Sequence, residues 1–208
     1  MTIQKLLIAL FLLGSQAASA DTSLTNFSFT GSFANDNDVQ LFDFSLLADS
    51  TTLRINTLSL IGGTNDAGTA IAAGGFDPYL SVWDKSTGEF KFDTTAKNPG
   101  AEARIDNASD DPYGTLAAGN YILALSQFDN TAVGTLFSEG FAAGQGLAFG
   151  AGFPSFVNNG TSGHWAVDII NVDSASASIA AVPLPGAIGF MVSGLLGLVS
   201  LTRRKITA

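Results

Sequence analysis

The chain has no cysteine and only one histidine among its 208 residues. Without cysteine it cannot form disulfides, and it has no thiol for nucleophilic or redox chemistry. A zinc site needs several histidine or cysteine ligands, and the chain does not supply them. Its stability therefore has to come from the packing of a hydrophobic core, with bound ions as the other source open to it.

Basic residues are also few, and they are placed unevenly. Between residues 21 and 180 there are five basic residues against eighteen acidic ones, which is a formal charge of −13. Such a surface repels nucleic acid and anionic lipid, so we expect no nucleic-acid partner. The remaining bases flank two apolar segments near the ends of the chain, and they are Lys5, Arg203, Arg204 and Lys205. That separation is typical of membrane insertion.

Motifs of common enzymes are missing as well. The sequence has no Gly-x-Ser-x-Gly turn, and its glycine-rich stretches do not end in Gly-Lys-Ser/Thr. His164 could take part in a Ser-His-Asp relay only if its side chain lay between a serine and a carboxylate, either Asp168 or another. Its place beside Trp165, at the start of an alternating run, favours an incidental histidine at a strand edge. We therefore predict that the chain is not an enzyme.

The first twenty residues have the pattern of a secretory signal peptide. Lys5 is followed by an apolar run over residues 6–13 and by the small residues Ala18, Ser19 and Ala20. This order predicts a signal peptide over residues 1–20, with Ala18 and Ala20 marking the cleavage site. The apolar run is too short to span a bilayer, which takes about 20 residues.

The segment that follows has the alternating pattern of β-strands. Phe27, Phe29 and Phe33 share one face of a first run, and similar runs recur up to Asn171 with turn-rich stretches between them. One such run passes through Leu53, Ile55, Leu58 and Leu60, and two more flank a predicted hairpin turn at residues 85–88. The spacing predicts an all-β sandwich or barrel over residues 21–173, called here the passenger domain. Residues 131–162 are predicted to be a long irregular loop or a mobile insertion. The small residues of 174–181 are predicted to be a Ser/Ala linker.

The end of the chain combines a short motif, an apolar run and a basic stop. The motif over residues 182–187 is Val182-Pro183-Leu184-Pro185-Gly186-Ala187, and a transmembrane helix is predicted over 186–202. Arg203, Arg204 and Lys205 follow it and predict that this end stays in the cytoplasm, with the passenger domain outside.

This tail resembles the PEP-CTERM sorting signal in its Val-Pro-Leu-Pro-Ala variant. Leu184 stands where the commoner form has Glu, and Gly186 precedes Ala187. The resemblance covers residues 182–208. It implies recognition by an exosortase that cuts near the motif, and anchoring in the inner membrane by the helix. It also implies export in a Gram-negative bacterium and association with extracellular polysaccharide.

The passenger domain resembles bacterial pre-peptidase C-terminal domains and the DVUA-type PEP-CTERM passengers. The matching stretches are residues 36–42, residues 75–80, and a run from Asn107 to Leu125 that includes Leu116, Gly119 and Tyr121. The resemblance implies a jelly-roll-like β-sandwich, and some relatives of these domains bind calcium or polymers.

Two clusters of acids and amides could supply the oxygen ligands that calcium prefers. The candidate ligands are Asp36, Asn37 and Asp38 in one cluster, and Asp106, Asn107, Asp110 and Asp111 in the other. Neither cluster has EF-hand spacing, and such residues in loops also simply stabilise turns. The sequence leaves both readings open.

The predicted function is therefore a structural or adhesive role in the exopolysaccharide layer, carried by a non-catalytic, calcium-stabilised β-sandwich. The alternative is a carbohydrate-binding module in which exposed aromatic residues stack on sugars. Its candidates are Tyr79, Trp83, Tyr113 and Trp165, although burial in the core is the default for such residues. Glycoside hydrolysis by the pairs Asp36–Asp38 or Asp110–Asp111 ranks last, because it needs two carboxyl groups facing each other across a cleft.

Overall fold

A computed structural model of the chain describes residues 24–94, 102–108, 112–142 and 162–178. Within these ranges the fold is all-β, as predicted, with eleven strands and one turn of 3-10 helix at Phe137–Glu139. The strands are β1 (Thr25–Ser32), β2 (Val39–Leu46), β3 (Arg54–Thr57), β4 (Gly63–Thr64), β5 (Ala70–Ile71), β6 (Pro78–Asp84), β7 (Phe90–Thr94), β8 (Arg104–Ile105), β9 (Gly119–Gln127), β10 (His164–Val172) and β11 (Ser174–Ser178).

The strands form two main antiparallel sheets that enclose one core. The four-stranded sheet has the order β1-β10-β3-β8, and the five-stranded sheet has the order β11-β2-β9-β6-β7. Strands β4 and β5 form a separate hairpin. Side chains from both sheets make up the core, among them Phe42, Phe44, Ile55, Leu80, Leu123, Leu125, Val167 and Ile169. The arrangement is therefore β-sandwich-like.

The alternating runs of the sequence account for this core. On β10, Trp165, Val167 and Ile169 are buried in the sandwich, as the alternation predicts. On β2, Phe42 and Phe44 face the core, whereas Leu41 faces the other way into a small second cluster with Phe141. Apolar residues on both faces of β2 are thus covered, because residues beyond β9 fold over the outer face of the five-stranded sheet.

The predicted hairpin turn at residues 85–88 is confirmed between β6 and β7. The carboxylate of Asp84 accepts hydrogen bonds from the hydroxyl of Ser86 at 2.6 Å and from the amides of Ser86 and Thr87 at 2.8 and 3.0 Å. These hydrogen bonds lower the pKa of Asp84 to about 2, and the bond from the Ser86 hydroxyl has the largest effect. Gly88 closes the turn with a φ of 75°, a conformation that favours glycine.

The predicted strand through Leu58 and Leu60 ends earlier than expected. Strand β3 stops at Thr57. The amide of Leu58 still donates to the carbonyl of Ala166 on β10, but later amides go to the carboxylate of Glu102. Its Oε1 accepts the amide of Ser59 at 2.7 Å and that of Ile61 at 2.8 Å. A strand continuing past Thr57 would need those amides for its own ladder.

The prediction of a Ser/Ala linker over residues 174–181 is wrong for its first five residues. Ser174–Ser178 form strand β11, which pairs with β2 from Ser174 opposite Ser45 to Ser178 opposite Leu41. The backbone supplies these bonds, so small side chains do not prevent them. The sandwich therefore extends to residue 178 rather than 173.

Candidate functional site

An open polar groove runs across the outer face of the four-stranded sheet. The register places Asp168 of β10 opposite Asn56 of β3, and Asn56 opposite Arg104 of β8. Ile170 and Arg54 form the next row. These side chains point away from the core because they alternate with the buried Ile55 and Ile169. The groove has a volume of about 560 Å³, and Arg54, Arg104 and Ile170 also line an adjoining depression of about 490 Å³.

The β4–β5 hairpin forms one wall of the groove. Asp168 holds this wall in place, because one of its oxygens accepts the hydroxyl of Ser28 at 2.6 Å and the other accepts the amide of Asp66 at 3.0 Å. The side-chain amide of Asn26 donates to the carboxylate of Asp66 at 2.8 Å. The two carboxylates on this wall thus already accept hydrogen bonds from the protein.

Glu102 forms the opposite wall. Besides its bonds to the amides of Ser59 and Ile61, its second oxygen accepts the hydroxyl of Thr57 at 2.8 Å. The carboxylate therefore fastens the segment after β3 to β8, and both of its oxygens are occupied. It shapes the groove without offering a free oxygen atom.

The two arginines at the centre of the groove differ in their partners. Arg104 forms an ion pair with Asp106, whose other oxygen accepts the amide of Ala108 at 3.0 Å. Arg54 is half-buried and makes no ion pair or hydrogen bond with the part of the chain that the structure describes. The neighbouring carboxylates already accept hydrogen bonds from the protein. The group in the groove that is left to bind a ligand is therefore a hydrogen-bond donor, the guanidinium of Arg54. A guanidinium suits the oxygens of a carboxylate or a hydroxyl-rich ligand.

The first predicted calcium cluster lies in the loop between β1 and β2. Asp38 stabilises this loop, since its Oδ2 accepts the amides of Ala34 at 2.7 Å and Asn35 at 2.9 Å. The carbonyl of Asn37 accepts the side-chain amide of Asn130 at 3.0 Å. Asp36 is only 6% exposed, and its buried Oδ2 has no hydrogen-bond partner among the residues that the structure describes. Burial raises its pKa above the usual 3.8, against the lowering effect of two backbone amides.

The second predicted cluster also holds loops together. The side-chain amide of Asn107 donates to the carbonyls of Thr51 at 2.8 Å and Gly114 at 2.6 Å, and its oxygen accepts the amide of Gly114 at 2.8 Å. These bonds, together with the ion pair of Asp106, occupy the side-chain oxygens of Asn107 and Asp106 that would have to bind a metal ion. Asp110 and Asp111 lie outside the described residues.

Most of the described side chains of the two clusters already hydrogen-bond within their loops, and the calcium prediction stays a prediction. In the described ranges no three carboxylate or histidine side chains converge so that they could hold a metal ion. Asp36 alone keeps an unused buried oxygen, so it is the residue through which the calcium prediction can be tested.

His164 begins β10, as predicted, and it contacts a loop. Its Nδ1 is hydrogen-bonded to the hydroxyl of Ser162, and its Nε2 lies 2.8 Å from the carbonyl oxygen of Ala72. Asp168, the carboxylate considered for a relay, is bonded instead to Ser28 and Asp66. These three residues therefore do not form the Ser-His-Asp arrangement.

The aromatic residues considered for sugar stacking are packed inside. Tyr79, Trp83 and Trp165 are buried, which is the default expectation. The hydroxyl of Tyr79 donates to Asp93 at 2.6 Å, and its burial, with this bond, raises its pKa. Tyr113 is half-buried, stacks on Phe92 and donates its hydroxyl to the carbonyl of Leu53 at 3.0 Å. Three of the four rings are thus buried and one face of the Tyr113 ring is covered by Phe92, which counts against sugar stacking at these residues. The carbohydrate-binding alternative itself stays a prediction.

The predicted targeting segments lie outside the described residues. These are the signal peptide with Ala18 and Ala20, the motif over residues 182–187, the helix over 186–202 and the stop at Arg203–Lys205. In the part of the chain that is described, no helix has the length and apolar character needed to cross a membrane.

Comparison with known proteins adds no assignment. No known family model matches the chain, and no curated protein is significantly similar to it.

Proposed function

We propose that the chain is an exported β-sandwich protein with a structural or adhesive role in the extracellular polysaccharide layer of a Gram-negative bacterium. One observation carries this proposal: an acidic, cysteine-free sandwich lies between a signal-peptide pattern and a motif–helix–basic-stop pattern. The resemblance of residues 182–208 to a PEP-CTERM signal supports an exosortase as the processing partner and the inner membrane as the site of anchoring.

The strand order supports the finer assignment of a jelly roll. One sheet has the order β1-β10-β3-β8, and the other contains β2-β9-β6-β7. If β4 and β5 are set aside as an inserted hairpin, the remaining eight antiparallel strands follow one another in the two sheets in the jelly-roll order. Strand β11 is an addition at the edge next to β2. Jelly rolls serve many functions, so this assignment by itself names none.

Mass spectrometry of the C-terminus tests the sorting proposal. The full chain is expressed in a host with and without an exosortase, and the membrane and extracellular fractions are analysed. We expect loss of the residues that follow the motif only when the exosortase is present. Replacement of Pro183 and Pro185 by alanine should block this loss, whereas Pro112→Ala, a proline outside the motif, should not. Full-length protein in the cytosol of every strain would contradict the proposal.

The groove supports a second candidate function, the binding of an acidic glycan. The supporting observation is Arg54, a half-buried guanidinium that has no acceptor among the described residues and lies beside the hydroxyl of Thr64 and the side-chain amide of Asn56. A hexuronate oligosaccharide carries both the carboxylate and the hydroxyls that such a lining could bind. The acidic surface around the groove favours a glycan with sparse carboxylates over a dense polyanion.

Binding measurements with a hexuronate oligosaccharide and its neutral hexose counterpart test this second function. We expect Arg54→Gln to weaken binding of the acidic sugar about tenfold or more, since a hydrogen bond to a charged group contributes about 1.5–3 kcal/mol. Lys85→Gln is the matched control, because Lys85 is paired with Asp43 on the other sheet. Equal affinity of the two variants, or no binding by the wild type, would contradict the glycan site.

A further inference from the structure

The two sides of the sandwich differ in how their edge strands are protected. One side ends in β7 and β8. Strand β7 carries Lys91 and Asp93, and β8 is only two residues long and begins with Arg104. Charged side chains and short edge strands are the usual means by which a sheet avoids pairing with another chain. This side is therefore protected against edge-to-edge contact.

The other side ends in β1 and β11, and neither strand has such protection. Thr25–Ser32 reads TNFSFTGS and Ser174–Ser178 reads SASAS, without a charged residue or a proline. In the sheets as described, β1 has only β10 as a neighbour and β11 has only β2. Between Asn26 and Ser32, the outward backbone groups of β1 have no hydrogen-bond partner within the described ranges. They are free to extend the sheet.

Half-buried aromatic side chains lie between these two edges. Phe27 and Phe29 of β1 pack against the core yet stay partly exposed, and the ring of Phe29 lies 5.0 Å from that of Phe42. On the protected side, the corresponding Phe92 of β7 is covered by the stacked ring of Tyr113 at 5.2 Å. The unprotected side thus combines open strand edges with apolar surface, which is typical of an interaction surface.

We propose that the β1/β11 side pairs edge to edge with a second copy of this chain. The charge distribution favours a second copy as the partner on this side. The segment 21–180 is strongly acidic, so two copies of the chain repel each other over most of their surfaces. This repulsion is weakest where the uncharged strands β1 and β11 of both copies meet. An antiparallel pairing of β1 with β1 of a copy around a two-fold axis is self-complementary. It places hydroxyl and amide side chains opposite one another on one face and phenylalanines on the other. The pairing does not depend on export or on processing.

Site-directed crosslinking tests the contact directly, because the protein has no cysteine of its own. Thr30→Cys places one thiol on the exposed part of β1, and Thr115→Cys places one in the exposed loop between β8 and β9, on the protected side, as a matched control. The full chain in detergent is treated with a short bismaleimide. We expect a covalent dimer from Thr30→Cys and only background crosslinking from Thr115→Cys. Equal crosslinking of the two variants would overturn the proposal.

Lysine substitutions test whether the edges hold the dimer together. Thr30→Lys and Ala177→Lys each add a charge to an unprotected edge, and Thr115→Lys adds the same charge on the protected side. We expect the mass measured by light scattering to fall by half when both edge lysines are present and to stay unchanged in the control. A wild type that is monomeric at all concentrations would overturn the proposal, as would a dimer that survives both edge lysines.

The outcome is independent of the sorting experiment. Protein that is processed and exported but monomeric contradicts only the edge pairing. Protein that is dimeric through β1 but stays in the cytosol contradicts only the proposed function.

Discussion

Asp36→Asn is the substitution for which the calcium prediction and the observed burial give opposite results. In the absence of metal, the buried carboxylate of Asp36 lowers the stability of the fold, because its Oδ2 has lost water and has gained no hydrogen bond from the described part of the chain. A buried unpaired polar atom costs about 1–3 kcal/mol. Asparagine removes the charge but leaves a polar group in the same place. The free energy of unfolding should therefore rise by an amount near the lower end of this range, at about 1 kcal/mol.

The raised pKa of Asp36 determines at which pH the substitution stabilises the protein. Burial raises the pKa of Asp36 above 3.8, so the native state holds this proton more tightly than the unfolded chain does. This tighter binding of the proton stabilises the native state only while Asp36 is protonated. The stabilisation is complete below pH 3.8 and is lost as the pH rises through the raised pKa. Asp36→Asn should therefore be more stable than the wild type at pH 7, and this advantage should disappear below about pH 4.

Thermal unfolding of the full chain in chelator measures the effect. For a chain of this size, about 1 kcal/mol corresponds to a rise of about 2–4 °C in Tm. If calcium binds through Asp36, adding calcium should instead raise the Tm of the wild type and leave that of the variant unchanged. A variant that is less stable than the wild type at pH 7 in chelator would refute the burial argument. A wild type that does not respond to calcium would refute the calcium prediction at this loop.

Three further predictions concern packing and hydrogen bonds. Gly31→Ala should destabilise the domain by about 1–3 kcal/mol in urea unfolding, because the added methyl group would overlap the buried ring of Trp165; an unchanged midpoint would contradict this packing. Asn107→Ala should cost about 2 kcal/mol through three lost hydrogen bonds, and full stability in the same assay would show that they contribute little. Asp84 has a pKa of about 2, so its contribution is present above pH 3.8 and is lost as the pH falls to 2. An acid titration of Asp84→Asn should accordingly show a smaller stability loss over that range, and an unchanged loss would contradict it.

Local patterns were enough to predict the all-β class and most of the long strands. The alternation around Trp165 and Val167 works because one face of β10 meets the core over its whole length. The turn before Gly88 was predictable because its residues interact with their sequence neighbours. In both cases the physical cause lies within a few residues of its effect.

Strand β11 and the end of β3 were not predictable in this way. Ser174–Ser178 has a composition typical of a linker, and it becomes a strand because β2 offers a free edge beside it. The carboxylate of Asp173 also fixes the start of this pairing by accepting the amide of Leu47 at 2.7 Å. Glu102 ends β3 from more than forty residues away. No periodicity in the sequence signals such distant partners.

The candidate groove was missed for the same reason. The alternation of Arg54, Ile55 and Asn56 does indicate that Arg54 and Asn56 share a face. Their neighbours Arg104 and Asp168 come from distant parts of the chain, and only the register brings them together. Conversely, the acidic clusters were conspicuous in the sequence, but Asp38 and Asn107 proved to stabilise loops.

The position of β11 links the edge pairing to the proposed sorting. Strand β11 ends at Ser178, so Pro185 of the motif is the seventh residue after the sandwich. Even fully extended, such a segment spans at most about 25 Å. A copy anchored by the predicted helix would hold its β1/β11 side close to the membrane, at nearly the same height as that of its neighbours. Anchoring would then raise the local concentration of open edges, so pairing that is weak in solution should become favourable at the surface.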